Sequence, residues 1–230
     1  MGYSRQDILI MCKAAIKDVS TFYTKEFINY SGRTVDTNEH YTEIISEFLI
    51  LHISELKNKI KKISRISSYK TPGHNGECTY SSNRIEENIA KTLFSFCKDG
   101  GKFNHIGKII DYQTPLKSTS KDIAGKIDLL AYDGICLRIL ELKKPDSEET
   151  MLRCVIEGFT YLQTVDKEKL IKDFSLPEDT VIKACPFVFK DGNQQKEMEK
   201  NRPYLFKLMK LLDSTPFYIV KKNNHYNVEV

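Results

Sequence analysis

Apolar residues recur along this chain with two different periods. From residue 4 to about residue 30, Ile8, Met11/Cys12, Ala15/Ile16, Val19 and Phe22/Tyr23 return at helical spacing, which predicts one long helix. Ser31-Gly32-Arg33 interrupts it. Asn38 then reads as the cap of a second helix through Ile44/Ile45, Phe48/Leu49, His52/Ile53, Leu56, Ile60 and Ile63. Ser67 to Ser82, with Pro72-Gly73, Asn75-Gly76 and several serines, predicts a loop or linker. A third helix begins at Asn83, with Glu86 three residues on as in a capping box. It buries Ile89/Ala90, Leu93 and Phe96/Cys97 and stops at Asp99-Gly100-Gly101.

Beyond this point the period changes. Ile106 to Thr114 predicts a short strand, and the polar run Lys117–Asp122 leads into two apolar runs, Ile127–Tyr132 and Cys136–Leu142. Asp133-Gly134 between them is a hairpin signal, because a two-residue type I′ turn needs positive φ twice. With that turn, Tyr132 faces Ile135 and Asp128 faces Ile139. Period-two alternation then puts Asp128, Glu141 and Lys143 on one face, with Asp128 and Glu141 diagonal neighbours able to grip one ion. A four-residue loop keeps the parity and sets the two acids directly opposite, whereas a one-residue bulge separates them. Leu129, Ala131, Leu140 and Leu142 fall on the opposite, buried face. Charges inside apolar strands are costly unless paired or bound to a metal, so the three ionisable residues become the candidate chemistry.

The rest of the pattern frames this hairpin. Asp146, with Glu149 three residues later, predicts the start of a helix running to about Gln163 and burying Leu152, Val155/Ile156, Phe159 and Leu162. Arg153, Glu157 and Tyr161 recur every four residues as a polar stripe on it. Ile182–Phe189 predicts a strand, Pro203 opens a helix through Leu212, and FYIVKKNNHYNVEV predicts an edge hairpin turning at Asn223-Asn224. Residues 1–70 thus read as a helical N-terminal extension and 71–230 as an α/β domain.

Composition alters little. The chain of 230 residues is 40% hydrophobic and 29% charged with a net charge of +4, as expected of a globular protein that permits nucleic-acid binding without demanding it. No apolar run is long enough to span a membrane, and the N-terminus does not resemble a signal peptide. The cysteines form no Cys-x-x-Cys pair and read as reduced core residues of a cytoplasmic protein; the histidines lack zinc spacing. Walker A, HExxH and G-x-S-x-G motifs are absent.

Asp128, a strand turn, then Glu141-Leu142-Lys143 resembles the D…ExK signature of the PD-(D/E)XK nuclease superfamily. The likeness spans about residues 83–190. The E-x-N-I-A setting of Glu86 is similar to that of archaeal Holliday-junction resolvases, and Glu157-x-x-x-Tyr161 is similar to the Q-x-x-x-Y of the superfamily's exonuclease branch, with Glu for Gln. Ile127 stands where the family's proline is usual. The resemblance implies a restriction-endonuclease-like αβββαβ core with a central mixed sheet. It implies a Mg²⁺-dependent phosphodiesterase, an endo- or exodeoxyribonuclease, with Mn²⁺ able to substitute. Glu86, Asp128, Glu141 and the Leu142 carbonyl are then expected metal ligands, since Mg²⁺ prefers hard oxygen donors. Lys143 is expected to position water or stabilise developing charge, with Arg153, Glu157 and Tyr161 orienting substrate or ligands. Lys57, Lys61, Lys62, Arg65, Lys121 and Lys126 are candidate phosphate contacts; a solvated helix face is the alternative for the first four. The N-terminal helices are expected to select substrate, form a homodimer or receive a protein partner. The rival expectation is the same fold as a non-catalytic nucleic-acid- or protein-binding module.

Overall fold

The period-two runs pair into one mixed sheet, and the period-3.6 segments cover both of its faces. The computed structural model describes residues 2–77, 84–119, 124–223 and 225–230. The strands are β1 (Lys108–Pro115), β2 (Lys126–Tyr132), β3 (Cys136–Leu142), β4 (Val181–Phe189), β5 (Phe217–Lys222) and β6 (His225–Glu229). They lie side by side in chain order as a six-stranded sheet. β1–β2, β2–β3 and β5–β6 are antiparallel, and β3–β4 and β4–β5 are parallel. Parallel neighbours need a crossover, and helices supply both of them.

The α-helices among the described residues are α1 (Arg5–Ala15), α2 (Tyr41–Leu51), α3 (Ile53–Asn58), α4 (Ile85–Lys98), α5 (Met151–Thr164), α6 (Lys167–Asp173), α7 (Asn193–Met198) and α8 (Pro203–Leu211). α4 buries Ile89, Ala90, Leu93 and Cys97 against Leu129, Ala131, Leu140, Leu142 and Phe187 on one face of the sheet. On the other face, Leu130, Leu137, Ile139, Ala184 and Val188 share a core with α5, α8 and the N-terminal helices. Ile8, Phe22, Ile45 and Leu49 belong to that same core, so residues 1–70 pack as part of the body that holds α5. At ~25 cal/mol per Å² of apolar surface removed from water, burial of such large side chains is the main force holding the layers together.

Several local expectations are corrected. The first helix ends at Ala15; a 3₁₀ segment, Ile16–Thr24, follows, with Asp18 out of helical geometry at φ −125° and ψ 85°. Ser4 caps α1 in a reciprocal box with Asp7. The second helix is broken at His52, which separates α2 from α3; His40 stands at the N-cap, and Asn38 instead adopts φ 56° in the turn before it. Phe96 is 46% exposed and packs on Phe103 at 5.0 Å, not in the core. α5 is capped by Thr150, whose hydroxyl accepts from Arg153 N, and not by Asp146. α6 and α7 carry too few apolar positions to announce themselves. The cap at Asn83 lies outside the described residues, as does half of the Asn223-Asn224 turn. Pro203 opens α8 at its first turn, as expected. The five cysteines described are unpaired and buried. No helix among the described residues is long and apolar enough to cross a membrane.

Gly107, at φ +75°, is where the chain bends into β1, and a Cβ there would run into the carbonyl oxygen of Tyr132. Gly107→Ala is therefore expected to destabilise the protein by about 1–3 kcal/mol through backbone strain and collision. Chemical denaturation would show it as a lower midpoint; an unchanged midpoint would contradict the assigned turn.

Candidate active site

The β2–β3 turn decides whether the hairpin charges meet. Asp133 Oδ1 accepts from Ile135 N at 2.9 Å and Cys136 N at 2.8 Å, an Asx-type arrangement that draws Ile135 and Cys136 into the loop. The register is Tyr132↔Leu137, Leu130↔Ile139 and Leu129↔Leu140. The two-residue turn, with Tyr132 facing Ile135 and Asp128 facing Ile139, is thus replaced by the four-residue loop. One further step along this register sets Asp128 opposite Glu141. The ladder pairs end at Leu129↔Leu140, and Leu142 N donates to Asp128 Oδ2 at 3.0 Å where a backbone carbonyl would otherwise accept. Because N–H and C=O of one strand residue point to the same neighbour in an antiparallel pair, the Leu142 carbonyl is also directed toward β2.

Asp128 is fixed from the other side by β1. Gln113 Nε2 donates to Asp128 Oδ1 at 3.1 Å, and Gln113 holds φ 48° within a strand. A non-glycine residue in the left-handed region costs on the order of 1–3 kcal/mol and persists only when its surroundings demand it. Sequence reading missed Gln113, because nothing in a lone glutamine at a strand end signals that conformation. With Arg84, Glu86 and Lys144, these two residues line an open cleft of about 460 Å³.

Behind Asp128 the charges condense. Lys143 is buried, and its Nζ lies 2.7 Å from Glu141 Oε1, 2.7 Å from Glu149 Oε2 and 3.3 Å from Glu157 Oε2. Arg153 Nε lies 3.2 Å from Glu149 Oε1 and 3.5 Å from Glu157 Oε2, and its guanidinium sits 5.9 Å above the Tyr23 ring. Tyr161 donates to Glu157 Oε1 at 2.9 Å and meets Tyr23 edge-on at 5.8 Å, so the N-terminal segment buttresses the site helix. Gly158 brings the α5 backbone close over the sheet, where an added Cβ would lie 3.6 Å from Glu141 Cβ. Gly125 leaves room for the Tyr161 hydroxyl, which a side chain there would strike. Glu86 arrives from α4 on the opposite face, and its Oε1 accepts from Lys144 N at 3.0 Å, beside the end of β3.

The electrostatics follow from burial and crowding. Burial pushes the Asp128 carboxyl up to about 7, with Glu157 and Glu86 adding to the rise while Lys143 and the Leu142 N–H oppose it. Burial also raises Glu141 well above the carboxylate range despite Lys143, and Glu157 and Asp128 add to it. For Glu157 the burial penalty is outweighed by Lys143 and Arg153, so it stays ionised. Burial works against the Lys143 ammonium, yet the surrounding carboxylates led by Glu141 overcome it and raise its pKa. Lys143 is therefore an ammonium at neutral pH and no general base. Tyr161 is likewise held as a phenol by burial and by Glu141 and Glu157.

Among the described residues, no three acidic, histidine or cysteine side chains meet as a ready-made metal-ligand cluster. Asp128 and Glu141 nevertheless present hard oxygens opposite one another. The carboxylates of Glu86, Asp128, Glu141, Glu149 and Glu157 outnumber Lys143 and Arg153, and raised carboxyl pKa values mark a place where added positive charge is favoured. Such a donor set fits a cation that keeps several of its waters and takes only one or two carboxylates, as Mg²⁺ does.

The structure thus brings together Asp128, Glu141, Lys143, Arg153, Glu157 and Tyr161, with Glu86 on the neighbouring wall of the cleft. Glu149, overlooked in the sequence except as part of a cap signature, joins Lys143 to Arg153. The basic residues are dispersed in role. Lys57, Lys61 and Lys126 are exposed, and Lys126 alone begins a site strand. Lys62 pairs with Asp166 at 2.9 Å, and Arg65 is tied to the carbonyls of Ser68 and Lys117 and lies over Tyr69. Lys121 lies outside the described residues. Comparison of the chain with protein-family models, with characterised proteins and with solved structures finds no match.

Proposed function

We propose that the chain is a divalent-cation-dependent phosphodiesterase that hydrolyses nucleic acid, with DNA as the first substrate to test. The observation that carries the reading is the β2–β3 register ending at Leu129↔Leu140, which one step further sets Asp128 opposite Glu141, with Lys143 paired to Glu141. The run α4-β1-β2-β3-α5-α6-β4 follows the order of a restriction-endonuclease-like αβββαβ core with the short α6 added, which supports the same reading.

Asp128 and Glu141 would hold the cation, with Glu86 and the Leu142 carbonyl close to the same strand ends. A divalent cation bound there supplies Lewis-acid polarisation of a phosphoryl oxygen and a more acidic water. The other functions belong to the protein. Gln113 and the Leu142 N–H fix both oxygens of Asp128. Lys143 remains protonated, and its charge would stabilise negative charge developing in the cleft. Glu149, Arg153, Glu157 and Tyr161 hold that ammonium in place. A polyanion cannot approach this surplus of carboxylates without compensating charge, which makes activity cation-dependent.

The rival binding-module reading draws on one observation: Lys143 is held by carboxylates on several sides, as in a purely structural ion-pair network. Cleavage decides between them. Plasmid, single-stranded DNA and RNA are incubated with Mg²⁺, Mn²⁺ or EDTA. Strand scission with metal, absent in EDTA and in Glu141→Gln, is expected. Metal-independent binding with no scission of any substrate would leave the binding module standing.

A further inference from the structure

Beyond α5 from the hairpin lies a group of cations that the acidic site does not use. Arg202, just before α8, is only 3% exposed. Its Nη1 donates to Asn201 O at 3.2 Å, its Nε has no partner, and no salt bridge holds it among the described residues. A buried guanidinium without a direct ion pair is costly. The nearby acids are otherwise engaged. Glu43 accepts from Tyr204 N and Leu205 N, each at 3.0 Å, Glu197 accepts from Met151 N at 2.8 Å, and Glu39 pairs with Arg5 at 3.1 Å. Glu197 and Glu43 offset part of the Arg202 charge at a distance, but neither forms an ion pair with it among the described residues.

Arg202 and Lys200 line two adjoining clefts. One, of about 310 Å³, also has Arg33 and His40 with Glu39 and Glu43 on its wall, and the other, of about 580 Å³, sets Lys196 beside Glu148, Glu149 and Glu197. His40 Nδ1 is buried and also lacks a partner. Burial, then the charges of Arg202, Arg33 and Lys200, pulls the His40 imidazole down to about 4, so these cations act on the ring together. Several converging cations, one a buried guanidinium with unused N–H, match a multiply charged tetrahedral oxyanion better than a single carboxylate.

We propose that Arg33, His40, Lys200 and Arg202 form an oxyanion pocket that binds a phosphate group. The pocket does not depend on the hydrolytic reading. Its phosphate can be free or part of a polynucleotide; Glu149, 2.7 Å from Lys143, connects the larger cleft to the candidate active site.

The test follows the His40 imidazole by NMR, assigned with His40→Gln, in EDTA so that no substrate is consumed. The groups facing His40 are Arg33, Glu39, Glu43, Lys200, Arg202 and Tyr204. Titration with inorganic phosphate is expected to give a saturable shift and to raise the His40 pKa, because an anion favours the imidazolium. Lys200→Ala and Arg33→Ala, both at exposed positions, are expected to weaken phosphate binding at least about tenfold each, ~1.4 kcal/mol. They keep the test open if Arg202→Lys fails to fold. Parallel titrations with a 5′-phosphorylated oligonucleotide and its 5′-hydroxyl form separate the sources. Preference for the phosphorylated form assigns a strand end, equal binding an internal phosphate, and response to inorganic phosphate alone a free anion. Absence of any saturable His40 shift, or a shift undiminished in both exposed variants, overturns the pocket.

Discussion

Lys143→Met is expected to lose cleavage and to melt about 10 °C or more below the native protein at pH 8. The ammonium is buried and is the cation nearest Glu141, Glu149 and Glu157. Removing one partner from a buried ion pair costs about 3–5 kcal/mol, because the remaining charge is left uncompensated. At about 2–4 °C per kcal/mol for a chain of this size, the shift is large enough for a simple thermal melt. The methionine keeps the volume, so little of the loss comes from a cavity. The deficit should shrink on acidification. Without the ammonium, the already raised pKa of Glu141 rises further above its unfolded value, and Glu157 loses the larger of the two cations that hold its pKa down. Stability is then present below the unfolded carboxylate pKa of about 4.3 and is lost as pH rises through the folded values. Melts at pH 5 and pH 8 measure this directly, and adding Glu141→Gln to Lys143→Met should recover part of the loss at pH 8. A deficit equal at both pH values would mean that packing, and not charge, explains the position.

Asp128→Asn is expected to separate activity from stability. Losing one hard-oxygen ligand removes several kcal/mol of transition-state stabilisation, so cleavage should fall on the order of a thousandfold. Stability should move the other way. The folded Asp128 carboxyl is raised to about 7 from an ordinary value near 4, so its contribution is full below the ordinary value and disappears as pH rises through 7. Above pH 7 the aspartate ionises at a cost that asparagine avoids. Because the residue is only half-buried, solvent screening limits the gain to on the order of 1 kcal/mol, about 2–4 °C. Asparagine also keeps an oxygen for the Leu142 N–H. Millimolar Mn²⁺ should stabilise the native protein by mass action and leave the asparagine variant almost unchanged. A variant that melts lower than the native protein at pH 8 and still responds to Mn²⁺ would remove Asp128 from the site.

The two substitutions probe different parts of one arrangement. Asp128 fronts the cleft and is tuned by neighbours on β1 and β3. Lys143 lies behind it, and its carboxylate partners come from β3, from the chain before α5 and from α5 itself. The same chain before α5 leads through Glu149 to the basic clefts around Arg202. On the proposed reading, the acidic centre would draw the cation and the Arg202 pocket would hold a phosphate of a polyanionic substrate.

By itself the sequence determined the hairpin and the side of the sheet its charges occupy. Period-two alternation is local, so Leu129, Ala131, Leu140 and Leu142 had to share a buried face and leave Asp128, Glu141 and Lys143 on the other. The stripe Arg153, Glu157 and Tyr161 was equally legible, because helical spacing alone places residues four apart together. Tertiary structure decided the rest. The Asp133 carboxylate lengthened the turn and put Asp128 opposite Glu141, and Gln113 took a left-handed backbone to reach Asp128. Thr150 displaced Asp146 as a cap, which left Glu149 free to reach Lys143. The burial of Lys143, and that of Arg202 without an ion pair, follow from how helices distant in sequence close over the sheet. Short-range patterns fix which face a side chain points to. The partner it meets there, and hence its charge state, depends on long-range packing that no local period records.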